Sequence, residues 1–206
     1  MRDQENINKV ADLHPDYLGF IFFEGSPRYV SETVEVKDPA IRKTGVFVDA
    51  SGAFVLEKAE EFKLSAIQLH GNESKDYCRA LKKKLSEEIQ LIKVFGVKDE
   101  FEFSILKDYE EVVDLFLFDT KGKNKGGHGI TFNWEILKKY PSSVPFFLSG
   151  GIGVEEVPAI KDLYDYFEKN KMQHLFYGLD VNSRFETAPG VKDPEKLKIF
   201  KDRLLS

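Results

Sequence analysis

Two glycine-bearing loops in the last third of the sequence are suited to binding an anion. Ser149-Gly150-Gly151 follows the apolar run Val144–Leu148, and Gly178–Ser183 follows the run Gln173–Tyr177. The backbone N–H groups of successive glycines can approach an anion closely, because no side chain stands in the way. The two loops therefore predict a site for a phosphorylated small molecule, although turn glycines with a purely structural role remain the alternative.

Two charged residues near strand ends could supply acid chemistry and anion recognition. Asp119 follows the apolar run Val113–Phe118, and partial burial there would raise its carboxyl pKa toward that of a general acid. The alternative is a helix-capping or loop acid. Arg28 lies in Gly25–Val30, and its planar fork suits a carboxylate or phosphate unless it is merely solvated.

Other polar residues stand near the same predicted strand ends. His70 follows Ala66–Leu69, but as one histidine without partners at ligand spacing it is a poor metal candidate. Asp180 would repel a phosphate, so we expect it to accept a hydrogen bond from a sugar hydroxyl. Asn182 and Ser183 are then the phosphate contacts of that loop. The one cysteine, Cys78, lies amid helix signals and predicts a packed residue instead of a nucleophile.

The segments that must position these side chains alternate between strands and helices. The predicted strands are short and almost continuously apolar, as is typical of parallel strands covered on both faces, and they begin roughly 22 to 31 residues apart, the length of one strand–helix unit. They are Tyr17–Phe23, Thr44–Val48, Ala66–Leu69, Gln90–Phe95, Val113–Phe118, Val144–Leu148 and Gln173–Tyr177. Helices are predicted after caps at Asp3, Ser51, Asn72 or Ser74, and Asp193, and over 101–109 and 154–167.

This alternation indicates either a closed barrel or an open doubly wound sheet. No Gly-x-Gly-x-x-Gly motif follows an early strand, which disfavours a dinucleotide-binding sheet. The pattern fits a single domain over residues 1–206 that is either an open sheet of another kind or a closed (β/α)8 TIM barrel, in which the loops after the last two strands are the usual phosphate site. Because the chain starts at a helix, we expect the first barrel strand to be missing from it.

Composition narrows the range of partners. The net charge of −5 disfavours nucleic acid as the main partner. No apolar run approaches a membrane span, and one cysteine among 206 residues excludes a disulfide framework and fits a reducing cytosol. We expect a cytoplasmic protein, a monomer or a homodimer, with a small-molecule substrate and neither nucleic acid nor membrane as a partner.

Taken together, these segments closely resemble the phosphoribosylanthranilate isomerases of tryptophan biosynthesis. The matching stretches follow the family's order and spacing over almost the whole chain. They are Asp16–Phe22, Ser26–Val30, Gly45–Val48, Gln68–Gly71, Phe118–Thr120, Gly126-Gly127-His128-Gly129, Ser149–Gly151, Asp180–Ser183 and Pro189–Asp193.

The resemblance implies a (β/α)8 barrel without metal or organic cofactor that performs an Amadori rearrangement. A general acid protonates the ribose ring oxygen of N-(5-phosphoribosyl)anthranilate, and the ring opens to a Schiff base. A general base then removes the proton from C2, and the enolamine tautomerises to the aminoketose, 1-(2-carboxyphenylamino)-1-deoxyribulose 5-phosphate.

The resemblance also implies roles for individual residues. Asp119 would be the acid, Arg28 would hold the anthranilate carboxylate, Asp180 would orient the ribose and His70 would line the pocket. The phosphate would be bound mainly through backbone N–H groups, by Gly127, Gly150, Gly151, Asn182 and Ser183.

The sequence departs from the family pattern at two places. The family base is a cysteine in a Lys-Ile-Cys-Gly-Met-like first strand, and Met1-Arg2-Asp3 aligns with the residues downstream of that cysteine. We therefore expect a start assigned downstream of the base, and impaired activity of this form. Asn182-Ser183-Arg184-Phe185 replaces the commoner Ser-Ser-Gly-Val. A non-catalytic phosphosugar-binding barrel and a sister aminoaldose isomerase of histidine biosynthesis remain alternatives.

Overall fold

The computed structural model describes residues 1–98, 100–120 and 133–206. Among them, seven parallel strands form one sheet in which each strand pairs with the next along the chain. An open doubly wound sheet would instead reverse its order at a switch point. The strands are β1 (Tyr17–Ile21), β2 (Arg42–Phe47), β3 (Ala66–Leu69), β4 (Gln90–Val97), β5 (Leu115–Thr120), β6 (Phe146–Leu148) and β7 (Phe176–Leu179).

The sheet curls so that its two edge strands approach each other. The hydroxyl oxygens of Tyr17 in β1 and Tyr177 in β7 are 2.9 Å apart. The ring of Tyr17 also packs edge-on against Phe147 of β6, with 5.4 Å between centroids. Within the described ranges β1 and β7 do not pair as strands. The predicted (β/α)8 barrel fold is confirmed, with seven of its strands among the described residues.

Helices cover the outside of the sheet, and most begin where the sequence predicts a cap. Asp3 accepts a hydrogen bond from the backbone N–H of Asn6 at 2.7 Å, and Ser74, not Asn72, caps the third helix. Ser51 and Asp193 cap as predicted. The helices are α1 (Gln4–Ala11), α2 (Gly52–Glu61), α3 (Lys75–Lys82), α4 (Val157–Lys169) and α5 (Pro194–Leu205).

The structure corrects three local predictions. The segment predicted as a helix over 101–109 forms only a 3-10 helix, Phe103–Asp108. The last strand begins at Phe176, because Gln173–Leu175 forms a 3-10 turn closed by the bond from Leu175 N to Met172 O. A short hairpin, β8 (Glu186–Ala188) with β9 (Val191–Lys192), lies where the sequence pattern predicts no strand.

The alternation of β5 decides what faces the inside of the barrel. Leu115 and Leu117 pack in an interior cluster with residues of β3, β4 and β6. Phe116 and Phe118 point to the opposite side and are fully buried against the helix layer. Because side chains alternate along a strand, Asp119 continues the interior row and emerges at its carboxyl end.

Candidate active site

Asp119 and His70 meet at the carboxyl ends of β5 and β3. His70 Nε2 lies 3.3 Å from Asp119 Oδ2, and the two side chains are 38% and 28% exposed. The other ring nitrogen, Nδ1, lies 3.3 Å from Gln68 Oε1. The sequence places both residues at strand ends but does not predict this contact, which depends on the curl of the sheet. Both side chains are therefore accessible to a ligand at the same point of the mouth.

Asp180 faces the same mouth from the end of β7. Ser149 donates its hydroxyl hydrogen to Asp180 Oδ2 at 2.8 Å. Burial raises the pKa of Asp180 and the negative charge of Asp119 adds to the rise, whereas the Ser149 hydrogen bond opposes it. A carboxyl group whose pKa is raised by burial and by a second carboxyl beside it is a common arrangement for proton transfer.

Gly150 makes this close packing possible. Its φ is +84°, and a Cβ there would lie 2.3 Å from Thr120 N and 2.7 Å from Asp119 Oδ1. Gly151 follows with φ +70°. Any side chain at position 150 would displace the Asp119 carboxyl. Glycine at position 150 thus lets the loop after β6 pack directly against the end of β5, beside the Asp119 carboxyl.

The loop after β7 lies next to the loop after β6. Asn182 Oδ1 accepts a hydrogen bond from Lys192 Nζ at 2.6 Å, and Ser183 starts the 3-10 helix Ser183–Phe185. Arg184 contacts the other loop: its Nη1 lies 2.7 Å from Glu156 Oε2, and a Cβ on Gly153 would be 2.8 Å from it. Gly127, the remaining predicted phosphate contact, lies outside the described residues.

Arg28 projects from the loop after β1 onto a partner that the sequence does not reveal. Its Nε and Nη2 donate to Glu186 Oε2 at 2.9 and 2.6 Å. Glu186 is nearly buried, with 5% of its side chain exposed, whereas Arg28 retains 22%. Burial pushes the pKa of Glu186 upward, but Arg28 and Lys192 prevail and hold that pKa below its ordinary value. The one sequence feature that could have drawn attention to Glu186 is the stretch Pro189–Asp193, which matches the family and follows Glu186 closely.

A buried ion pair holds the loop that carries His70. Lys93 Nζ lies 2.9 Å from Glu73 Oε2, with 4% and 2% of the two side chains exposed. The same ammonium donates to Gly71 O at 2.8 Å, and Glu73 accepts from Gly71 N at 3.0 Å. Both partners therefore fix the backbone directly after His70. Sequence reasoning missed this pair, since neither residue belongs to a motif.

Comparison with known proteins decides which family this site belongs to. Residues 1–203 match the family model of N-(5'-phosphoribosyl)anthranilate (PRA) isomerase. The chain belongs to this family of isomerases. Isomerase chemistry in tryptophan biosynthesis, implied by the motifs above, is therefore confirmed at the level of the family.

Named PRA isomerases match nearly the whole chain. The protein of Parabacteroides distasonis is 40% identical over 211 residues, which cover 100% of this chain and 90% of the relative. That of Phocaeicola vulgatus is 41% identical over 204 residues, covering 99% and 94%.

Solved PRA isomerase structures share the fold. The Thermotoga maritima enzyme superposes with a TM-score of 0.80 at 29% identity, covering 100% of this chain and 95% of that one. The Thermus thermophilus enzyme gives 0.78 at 25% identity, with the same coverage. A further isomerase structure, 26% identical with a TM-score of 0.75, holds reduced 1-(o-carboxyphenylamino)-1-deoxyribulose 5-phosphate.

The one cysteine of the sequence lies in a helix and not at a strand end. Cys78 is buried within α3, and burial raises its thiol pKa to about 11. A thiol that holds its proton at neutral pH and lacks solvent access is a packed residue, as its sequence context predicts. In the described part of the chain no cluster of His, Cys, Asp and Glu is arranged to hold a metal ion. Nor does any helix there have the length and apolarity to cross a membrane.

Proposed function

We propose that the mouth at the carboxyl ends of the strands rearranges N-(5-phosphoribosyl)anthranilate to the corresponding aminoketose. The observation that carries this proposal is the position of Asp119, 3.3 Å from His70 and directly against the bare backbone of Gly150. Asp119 is the general acid that protonates the ribose ring oxygen. His70 lines the pocket beside this carboxyl.

Three parts of the site bind three different groups of the substrate. Arg28 takes the anthranilate carboxylate, since a guanidinium pairs with carboxylates in a planar fork. Asp180, held by Ser149, accepts hydrogen bonds from the ribose hydroxyls. The phosphate is bound by the loops after β6 and β7, with Gly127, Gly150, Gly151, Asn182 and Ser183 as its contacts. The ligand in the related isomerase structure carries the same carboxylate and phosphate, which supports this division.

The general base is the remaining requirement. Cys78 cannot take the C2 proton, because it is buried in α3 with a pKa of about 11. The family base belongs to a Lys-Ile-Cys-Gly segment that the sequence does not contain. We therefore propose that the 206-residue chain by itself turns over slowly, with a deficit of about 10²–10⁴-fold for a lost general base.

The test follows the fluorescence decay of phosphoribosylanthranilate. The chain as given is compared with a version that carries Lys-Ile-Cys-Gly before Met1, each with and without Asp119→Asn. Asp162→Asn, an exposed acid on α4, is the matched control. We expect turnover in the extended version, its loss in Asp119→Asn and no effect of Asp162→Asn.

Any other outcome would contradict one part of the proposal. Equal turnover with and without the extension would refute the assignment of the missing base. Turnover that survives Asp119→Asn would refute the acid. No turnover by a folded, extended chain would contradict the isomerase and favour the phosphosugar-binding barrel or the sister aminoaldose substrate.

A further inference from the structure

Glu186, which no motif singles out, contacts two cationic side chains that border the proposed substrate site, Arg28 and Lys192. Its carboxylate accepts from Arg28 Nε and Nη2 and from Lys192 Nζ, the last at 3.1 Å. It also accepts the backbone N–H of Gly190 at 3.2 Å. With 5% of its side chain exposed, it is the more buried member of the Arg28–Glu186 pair. A buried carboxylate that accepts this many hydrogen bonds is held in one position beside the site.

The pairing uses one edge of the Arg28 guanidinium and leaves the other edge for a ligand. A guanidinium has five N–H donors, and Glu186 takes the Nε hydrogen and one on Nη2. The remaining hydrogens on Nη1 and Nη2 form a second fork, whose geometry suits another carboxylate. Arg28 keeps 22% of its side chain exposed, and the proposal below requires this second fork to face the ligand.

The hairpin that carries Glu186 is itself rigidly held. Glu186 in β8 is the cross-strand partner of Lys192 in β9. The side-chain amide of Asn6 in α1 then bonds both backbone groups of Lys192: Nδ2 donates to the carbonyl and Oδ1 accepts from the N–H, each at 2.7 Å. The carboxylate of Glu186 is therefore anchored through the hairpin to the first helix.

Lys192 connects this anchor to the loop after β7. Its ammonium bridges Glu186 Oε1 at 3.1 Å and Asn182 Oδ1 at 2.6 Å. Two cationic side chains, Arg28 and Lys192, thus share the Glu186 carboxylate. The chain of contacts runs from Arg28, at the carboxylate end of the substrate, to Asn182, at the phosphate end.

We propose that Glu186 is a positioning residue that presents the second fork of Arg28 to the anthranilate carboxylate, and thereby sets the preference for carboxylate-bearing substrates. The proposal rests on the proposed function, in which Arg28 binds that carboxylate. Glu186 does not touch the substrate. It acts by holding Arg28 in one orientation before the ligand arrives, which reduces the conformational freedom that binding must remove.

The test compares the affinities of two ligands by calorimetry. One is reduced 1-(o-carboxyphenylamino)-1-deoxyribulose 5-phosphate, and the other is its analogue without the carboxyl group. Glu186→Gln keeps the shape but removes the charge. We expect Glu186→Gln to lower the affinity for the first ligand by about 10- to 100-fold, as for the loss of one charge-assisted hydrogen bond, and the affinity for the second by less than about 3-fold. Glu156→Gln, which removes the nearer of the two carboxylates that pair with Arg184, is the control and is expected to leave the ratio of the two affinities unchanged.

A double-mutant cycle separates positioning from a general structural effect. In an Arg28→Ala background, Glu186→Gln is expected to cause no further loss of carboxylate preference. If Glu186→Gln weakens both ligands equally, or acts undiminished without Arg28, the proposal is wrong. If Arg28→Ala itself leaves the preference unchanged, the proposed role of Arg28 fails instead, so the two failures are distinguishable.

A second variant keeps the test valid if Glu186→Gln does not fold. Arg28→Lys retains the charge but cannot pair side-on with Glu186 and present a second fork at once. We expect it to lose the carboxylate preference almost as fully as Arg28→Ala. Wild-type preference in Arg28→Lys would overturn the positioning role, because a point charge would then suffice.

Discussion

Replacing Gly150 by alanine should damage both stability and the acid site. The backbone φ of +84° is left-handed, where a Cβ costs about 1–2 kcal/mol. The new methyl would also lie 2.4 Å from Thr120 Oγ1 and 2.7 Å from Asp119 Oδ1. Relieving such overpacking typically costs a further ~1–3 kcal/mol. We expect the free energy of unfolding to fall by about 2–5 kcal/mol in total.

The expected loss of activity follows from the position of the added methyl group beside the Asp119 carboxyl. The Asp119 carboxyl is one of the three nearest neighbours of the added methyl, so we expect relaxation to displace the acid from its present position. We expect the rate of phosphoribosylanthranilate turnover by the cysteine-extended chain to fall by about 10²–10⁴-fold, the usual worth of a general acid.

Gly52→Ala is the matched control for this substitution. Gly52 opens α2, and a Cβ there would meet no heavy atom within 4 Å. The same chemical change should therefore be neutral or stabilise by up to about 1 kcal/mol. Urea unfolding and the fluorescence assay measure both variants. Gly150→Ala with an unfolding free energy and a turnover rate equal to those of Gly52→Ala would refute the reasoning.

Three further changes test other parts of the fold. Lys93→Met leaves the buried Glu73 carboxylate without its ion-pair partner and should lower the free energy of unfolding in urea by about 3–5 kcal/mol. Lys75→Met, which breaks an exposed ion pair, should change that free energy by no more than about 1 kcal/mol. Equal losses in the two variants would contradict the argument from burial. Burial raises the Cys78 thiol pKa from 9.0 to about 11, so the unfolded state loses its proton first as pH rises. Stability should then fall between these pH values by on the order of 1 kcal/mol per pH unit, a slope that Cys78→Ala should remove. Tyr17→Phe deletes the hydroxyl that links the two edge strands and should lower the melting temperature by about 2–4 °C, for roughly 1 kcal/mol; an unchanged value would show that the contact carries no stability.

Local signals predicted the elements well where one segment decides its own structure. Ser51 and Asp193 cap helices as expected, because a cap needs only its own side chain and an N–H three residues on. The apolar run before Asp119 forms β5 and delivers that residue to the barrel mouth. The helix predicted over 101–109 is instead the 3-10 helix Phe103–Asp108, because apolar periodicity does not distinguish a short 3-10 segment from an α-helix.

The strand–helix alternation and the strand ends at which Asp119, His70 and Asp180 stand could be predicted from the sequence, because those signals are local in the chain. The family could be predicted because several such local stretches follow one another in the family's order and spacing. The same signals did not predict that Glu186 would hold Arg28, which lies 158 residues away. That pair, like the contact between His70 and Asp119, forms only when seven strands curl and bring their carboxyl ends to one mouth. Side-chain partners across a barrel depend on the register and curvature of the whole sheet, which no single segment encodes.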